Sequence, residues 1–267
     1  MGNIITFCNQ KGGVAKSTTA EAFASILTSA GARILMVDMD EQPGNMSLHV
    51  GADKSLPGTF ELLDWRGKAP SSGHVTECIQ DVMPFGAIIA ADIDLGDKDA
   101  GLLARMSPNT VLQKCLMTVR DEWDWIIVDT PPALGVRTRN AIFAADYVIV
   151  PCKADVSAVG GMQSLLTAVE EAQSDATHPI SVAGIAVTDF DPQTLLEREM
   201  DGVIHTMAEG FGVPVFECHV RHTVRAKEAQ RHAEPLVTYA ADSTAAADYL
   251  GLVEEFLNEV GDYTINA

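Results

Sequence analysis

Residues Gln10-Lys11-Gly12-Gly13-Val14-Ala15-Lys16-Ser17-Thr18 bring glycines, lysines and hydroxyls into one short stretch. Backbone N–H groups unshielded by side chains can wrap phosphate oxygens, a lysine can reach the outer phosphates of a nucleotide, and a hydroxyl can ligand Mg²⁺. Lys16 then takes the phosphates and Ser17 the metal, while Gly12, Gly13, Val14, Ala15 and Thr18 complete the cradle. The strict pattern G-x-x-x-x-G-K-[ST] fails at both glycines, where Gln10 and Ala15 stand, and Lys11 adds a cation that an ordinary phosphate loop lacks. A methyl group at position 15 crowds the approach of backbone to phosphate, yet alanine favours the helix that follows. Nucleotide binding is therefore expected to survive, with an effect on hydrolysis whose sign is open.

Three carboxylates supply what the loop lacks. Ile34-Leu35-Met36-Val37-Asp38-Met39-Asp40 is an apolar strand ending in acids on alternate positions, which face the same way. Trp125-Ile126-Ile127-Val128-Asp129 ends in one acid before Thr130-Pro131-Pro132. Strand-end aspartates can merely cap the next helix or turn. In open parallel sheets, however, ligands sit at the carboxyl ends of strands, and few protein oxygens plus substrate phosphates suit Mg²⁺.

The elements needed to hold these groups can also be read. Ile4, Ile5, Phe7 and Cys8 form a short apolar run ahead of the loop, and Phe23, Ile26, Leu27 and Ala30 recur at helical spacing behind it, with Gly31 as the stop. Further strands are expected at Ile88–Ala91, Tyr147–Val150, Val182–Val187 and Val213–Phe216, with helical stretches between them. The alternation predicts an α/β fold, a mainly parallel twisted sheet with helices on both faces in one domain over 1–267, and the phosphate loop adds the P-loop NTPase type. Residues 53–85 are the least regular part, with a short helix at Thr59–Leu63, and residues 97–113 form a helical layer.

Phe7-Cys8-Asn9-Gln10-Lys11-Gly12-Gly13, Val37-Asp38-Met39-Asp40-Glu41-Gln42 with Asn45, and Asp129-Thr130-Pro131-Pro132-Ala133-Leu134-Gly135 resemble the motifs of short, Soj-like ParA family partition ATPases, whose phosphate loop is the deviant form of the ParA/MinD superfamily. Glu41 stands where proline is commoner, and Pro43 is an apparent insertion. The resemblance implies ATP and Mg²⁺ as cofactors, Asp38 and Asp129 holding metal-bound water, and Asp40 orienting the attacking water. It also implies that Lys11 reaches the nucleotide of a second copy in an ATP-dependent sandwich homodimer. A cation delivered in trans suits phosphoryl transfer, which is mostly positioning and charge stabilisation. The family further implies non-specific DNA binding by the dimer, release when a ParB-type centromere-binding partner stimulates hydrolysis, and turnover that is slow without that partner. Nothing precedes the phosphate loop, so no N-terminal helix-turn-helix domain, and no operator recognition, is expected.

Composition fits and complicates this picture. With 37 acidic against 18 basic side chains the net charge is −19, which opposes a polyanion at long range. Arg221, Arg225, Lys227 and Arg231 nevertheless crowd into one stretch with His222 and His232, either a solvated helix face or a DNA contact. By resemblance Arg225 sits where the family keeps a DNA-contacting arginine, whereas Gln193 replaces a second one, with Arg198 nearby as a candidate substitute. Cys8, Cys78, Cys115, Cys152 and Cys218 are too scattered for disulfides or a cysteine zinc site, and read as reduced thiols in a cytoplasm. The resemblance implies that the cell is prokaryotic and that the protein joins the nucleoid when ATP-bound. MinD-type relatives bind membranes through a basic amphipathic terminal helix, but the polar face of Tyr249–Glu259 is acidic, so membrane binding is not expected. The alternatives are a ParA-like ATPase that positions a protein cargo and a ligase of the cobyrinate or dethiobiotin synthetase type, for which no carboxylate-substrate motif is evident.

Overall fold

The computed structural model describes residues 2–65, 69–156 and 158–261. Its strands, in chain order, are β1 (Asn3–Phe7), β2 (Ile34–Asp38), β3 (Gln80–Asp81), β4 (Ala87–Ile89), β5 (Trp125–Asp129), β6 (Tyr147–Cys152), β7 (Ser181–Phe190) and β8 (Val220–Arg221). They form one sheet in the order β3-β4-β2-β5-β1-β6-β7-β8. Every pairing is parallel except β3 with β4, which closes one edge in antiparallel fashion.

Helices fill the connections. The first four are α1 (Lys16–Ser29), α2 (Met46–His49), α3 (Thr59–Leu62) and α4 (Ser72–Thr76), and the expected layer after β4 is α5 (Lys98–Leu103) and α6 (Val111–Leu116). The remainder are α7 (Val136–Ala144), α8 (Ala158–Asp175), α9 (Leu195–Phe211), α10 (Arg225–Arg231), α11 (Leu236–Tyr239) and α12 (Thr244–Val260).

The two-residue period of the central strands builds a core on each face. On β5, Trp125 and Ile127 join Phe23, Leu252 and Phe256 on one side, while Ile126 and Val128 join Leu112, Leu116 and Ala141 on the other. The apolar face of α12 is committed to this core: Phe256 packs edge-on against Phe23 and Trp125 at 5.5 Å and against Tyr147 at 5.9 Å. Among the described residues no helix is long and apolar enough to cross a membrane. All five cysteines are free thiols, and burial pushes Cys8, Cys115 and Cys152 up to about 12.

One expected strand is corrected. In Val213–Phe216 only Val215 bridges, to Ile185, and the eighth strand is Val220–Arg221. Pro214 lacks an N–H, so it can accept from Ile185 N but cannot donate to a ladder, and the chain leaves the edge again after Phe216. The strand-end acids also differ slightly from expectation, since β2 stops at Asp38 and Asp40 lies beyond it.

Candidate nucleotide-binding site

Sheet register sets the first layer of the site. Asp129 is the Cα partner of both Asp38 on β2 and Phe7 on β1. The chain leaving β1 therefore starts within two strand spacings, roughly 10 Å, of both acids. It then turns through Gly13 (φ +72°) and Ala15 (φ +58°) into α1.

The loop is anchored from behind by groups far away in sequence. Asn9, almost fully buried, donates to Pro151 O at 2.7 Å and accepts from Lys11 N at 3.0 Å. Thr188 Oγ1 lies 3.1 Å from both Val14 O and Cys152 O. Thr19 Oγ1 ties the first turn of α1 to Ala15 O at 2.7 Å. At the N-cap, Ala15 has no side-chain acceptor, and the first turn of α1 holds no acid. The orphan N–H groups of that turn are thus left for an anion from outside the chain.

Cations and acids converge here. Lys16 is 6% exposed, and its Nζ reaches Lys11 O only at 3.5 Å, a weak contact for a nearly buried ammonium. Ser17 Oγ donates to Asp129 Oδ2 at 2.5 Å. Asp38 accepts from Ser47 Oγ at 2.6 Å and from the N–H groups of Ser47 and Asp40 at 2.8 and 3.0 Å. Asp40 accepts from Gln42 N, and its carbonyl takes a 2.7 Å bond from Asn45.

Burial raises the Asp38 carboxyl to about 6, against the hydrogen bonds from Ser47 and Asp40 that lower it. Asp129 stands well above the usual carboxylate range, chiefly through burial and then the Asp38 charge, with Ser17 and Lys16 opposing. Asp40 is also raised by burial, opposed by the Gln42 N–H and the charges of Lys16 and Arg137. Three acids that resist joint ionisation beside a hydroxyl form an oxygen donor set that fits a hard divalent cation.

Around this centre sit Arg137, Asp99 and Asp155, which sequence reasoning did not single out. Arg137, 8% exposed at its side chain, pairs with Glu41, donates to Asp99 Oδ1 at 2.8 Å and to Met39 O at 3.0 Å, and so fastens the segment carrying Asp40 to α5 and α7. Lys11 Nζ pairs with Asp155 of its own chain. A cavity of about 360 Å³ opens beside the loop between Ala15, Thr18, Asp189, Arg221, Lys227 and Tyr249. Asn9 lies within the motif Phe7–Gly13, but Thr188, Asp155 and Asp99 carry no local signal, because only the fold brings them near.

The basic cluster is divided by the structure. Arg221 lines the cavity and is held in a two-pronged pair with Asp248 at 2.6 and 2.9 Å. Arg225 opens α10, exposed, with Glu228 at 2.8 Å. Lys227 and Arg231, four residues apart, share a helix face that Arg225 does not. Gln193 and Arg198 are exposed around the start of α9.

A parallel sheet with helices on both faces, a Gly-Lys-Ser loop ahead of α1 and acids at the neighbouring strand ends define a P-loop nucleotide hydrolase, with an alanine and a second lysine in its loop. A family model described as an AAA domain matches residues 2–182. The chromosome-partitioning ATPase Soj of Treponema pallidum is 34% identical, over 98% of this chain and 99% of its own. The sporulation initiation inhibitor protein Soj of Bacillus subtilis is 30% identical, over 96% and 98%. Among solved structures, cobyrinic acid a,c-diamide synthase from Mycobacterium smegmatis, with bound ADP and magnesium, matches with a TM-score of 0.80 and 26% identity over 97% of this chain and 96% of that one. The chain belongs to the ParA/MinD family of partition ATPases.

Proposed function

We propose that this chain, as a single ATPase domain over residues 1–267, is a switch that partitions DNA by binding and hydrolysing ATP with Mg²⁺. The observation that carries the proposal is the meeting of Lys16, the Ser17–Asp129 contact, Asp38 and Asp40 at the uncapped N-terminus of α1. The N–H groups of Gly12 to Thr18 bind the phosphates and Lys16 neutralises them. Magnesium, when bound, draws charge from the phosphate oxygens, and Ser17, Asp129 and Asp38 are the residues that hold it or its water. Asp40, fixed by Asn45 and braced by the Arg137 network, orients the attacking water. The cavity between Ala15 and Lys227 accommodates the nucleoside.

Lys11 is a cis partner of Asp155 in the isolated protomer, and reaching the partner's nucleotide requires it to leave. ATP thereby becomes the bond of a two-fold homodimer. The dimer binds DNA without sequence preference through the exposed cations around α10, and a ParB-type partner bearing a basic segment meets the acidic surface, stimulates hydrolysis and releases it. The nucleoid is then its address in the ATP state.

Co-sedimentation of the whole chain with random duplex DNA under ADP, under ATP, and under ATP with Arg225→Ala tests this. Pelleting that needs ATP and is lost in the variant is expected, whereas indifference to nucleotide removes the switch. The likeness to the cobyrinic acid a,c-diamide synthase supports a second reading, an amide-forming ligase. Hydrolysis stimulated by DNA with no small carboxylate present separates the two.

A further inference from the structure

We infer that Asp201, His205 and His219 form a binding site for a divalent transition metal of the zinc class, apart from the phosphate loop. Asp201 and His205 are four residues apart on α9, so their side chains leave the same face of the helix one turn apart. His219 comes to them from the segment that crosses back from α9 to the sheet, one residue ahead of β8. One ligand atom from each of the three lies within 4.8 Å of the others.

The local hydrogen bonds prepare His219 for this role. Its Nδ1 is 2.9 Å from Glu217 O and its Nε2 is 2.8 Å from Asp201 Oδ1. The Nδ1 partner is a backbone carbonyl, an acceptor, so that contact places a proton on Nδ1. A proton fixed on Nδ1 by a backbone carbonyl is the outer-shell arrangement that leaves Nε2 to a metal. The cation sits between Nε2 and the Asp201 carboxylate, and any proton on Nε2 passes to solvent as it binds. The Phe190 ring, 4.8 Å from the His219 ring, supports its orientation, and the His205 ring lies at 28° to it.

The distances suit a small adjustment. Tetrahedral zinc bonds of about 2.0–2.2 Å place neighbouring ligand atoms about 3.3 Å apart. The Asp201–His219 pair must therefore open by about half an ångström while His205 closes in, both within the reach of side-chain rotation. Two imidazoles and one carboxylate select zinc, cobalt, nickel or copper over magnesium. The Asp201 and His219 side chains are 21% and 18% exposed, so solvent reaches the centre and water can complete the coordination. A metal there clips α9 to the start of β8, whose far end, at Arg221, forms one wall of the cavity beside the phosphate loop.

The test is calorimetric titration of the full-length protein with zinc while Mg²⁺ and ATP are in excess, repeated with His205→Ala, His219→Ala and Asp201→Asn. One site is expected, weakened at least tenfold by each substitution, with a melting temperature that zinc raises in wild type and not in the variants. Melting in EDTA, with wild type and variants within a few degrees, establishes that the variants fold. Cobalt in place of zinc should give a d–d spectrum without a thiolate charge-transfer band. No zinc binding by wild type, equal binding by the His205→Ala/His219→Ala double variant, or a thiolate band, which would move the ion to a cysteine, each overturns the assignment.

Discussion

Replacing Ala15 by glycine isolates one conformational term at the mouth of the site. Ala15 caps α1 at φ 58° and ψ 29°, in the left-handed region, where a Cβ costs about 1–2 kcal/mol. Glycine removes that cost but has more freedom to lose on folding, an opposing term of about 0.5–1 kcal/mol. Ala15→Gly should therefore stabilise the protein by about 0.5–1 kcal/mol, which for a chain of this size raises the melting temperature by roughly 1–4 °C. Thermal and urea unfolding followed by circular dichroism measure it, with Ala15→Val as the opposite arm, since a β-branched residue fits this region worst. A glycine variant that melts at or below wild type refutes the strain argument. Steady-state ATP turnover in the same two proteins asks a separate question, and equal rates would show that the methyl group is irrelevant to hydrolysis.

Burial lowers the His49 pKa, but the hydrogen bond and charge of Glu21 outweigh it and the net shift is upward. A raised value makes this stabilisation complete below about pH 6.5 and removes it as pH climbs through the folded value. Wild type should lose its advantage over Glu21→Gln, a few tenths to about 1 kcal/mol, as pH rises above about 6.5, and a gap that stays constant in urea titrations counts against the pairing. Arg137→Met keeps the volume but strands Glu41 and Asp99, whose side chains are 29% and 37% exposed and can partly rehydrate. A stability loss of about 2–3 kcal/mol, below the 3–5 of a fully buried pair, is expected together with slower ATP turnover, and a loss under about 1 kcal/mol would contradict the bracing role. Arg221→Ala leaves the Asp248 carboxylate, 10% exposed, without its two-pronged partner, whereas Arg225→Ala frees only an exposed i,i+3 pair. Arg221→Ala should therefore melt measurably lower than Arg225→Ala, and equal melting temperatures would mean the Asp248 pair contributes nothing.

The central strands and the loop between β1 and α1 were legible in the sequence because those signals are local. Apolar runs ending in Asp38 and Asp129, and a glycine-lysine loop between a strand and a helix, need only their own neighbours to be recognised. The far edge was misjudged for an equally local reason. Val213–Phe216 has strand-like composition, but Pro214 interrupts its donors and only Val215 bridges, while the two residues that form the eighth strand, Val220 and Arg221, are too few to leave a pattern. Orientation was the hidden quantity in the basic stretch. Spacing along the chain cannot tell that Arg221 turns to Asp248, 27 residues onward, or that Arg225 and Lys227 leave α10 on different sides. Contacts such as Thr188 to Val14, 174 residues apart, exist only once the sheet is assembled.

The basic side chains are few, and the fold has already matched many of them internally: Arg33 with Asp124, Arg120 with Asp146, Arg139 with Glu171, Lys153 with Asp189, Arg221 with Asp248 and Arg225 with Glu228. In the proposed complex with DNA, a phosphate arriving at such arginines exchanges one anion for another. Added electrolyte weakens the resident pair as well as the incoming contact, so part of its usual penalty cancels. Affinity plotted against ionic strength should then slope less steeply than the number of phosphates touched implies, a signature of competition by the protein's own carboxylates.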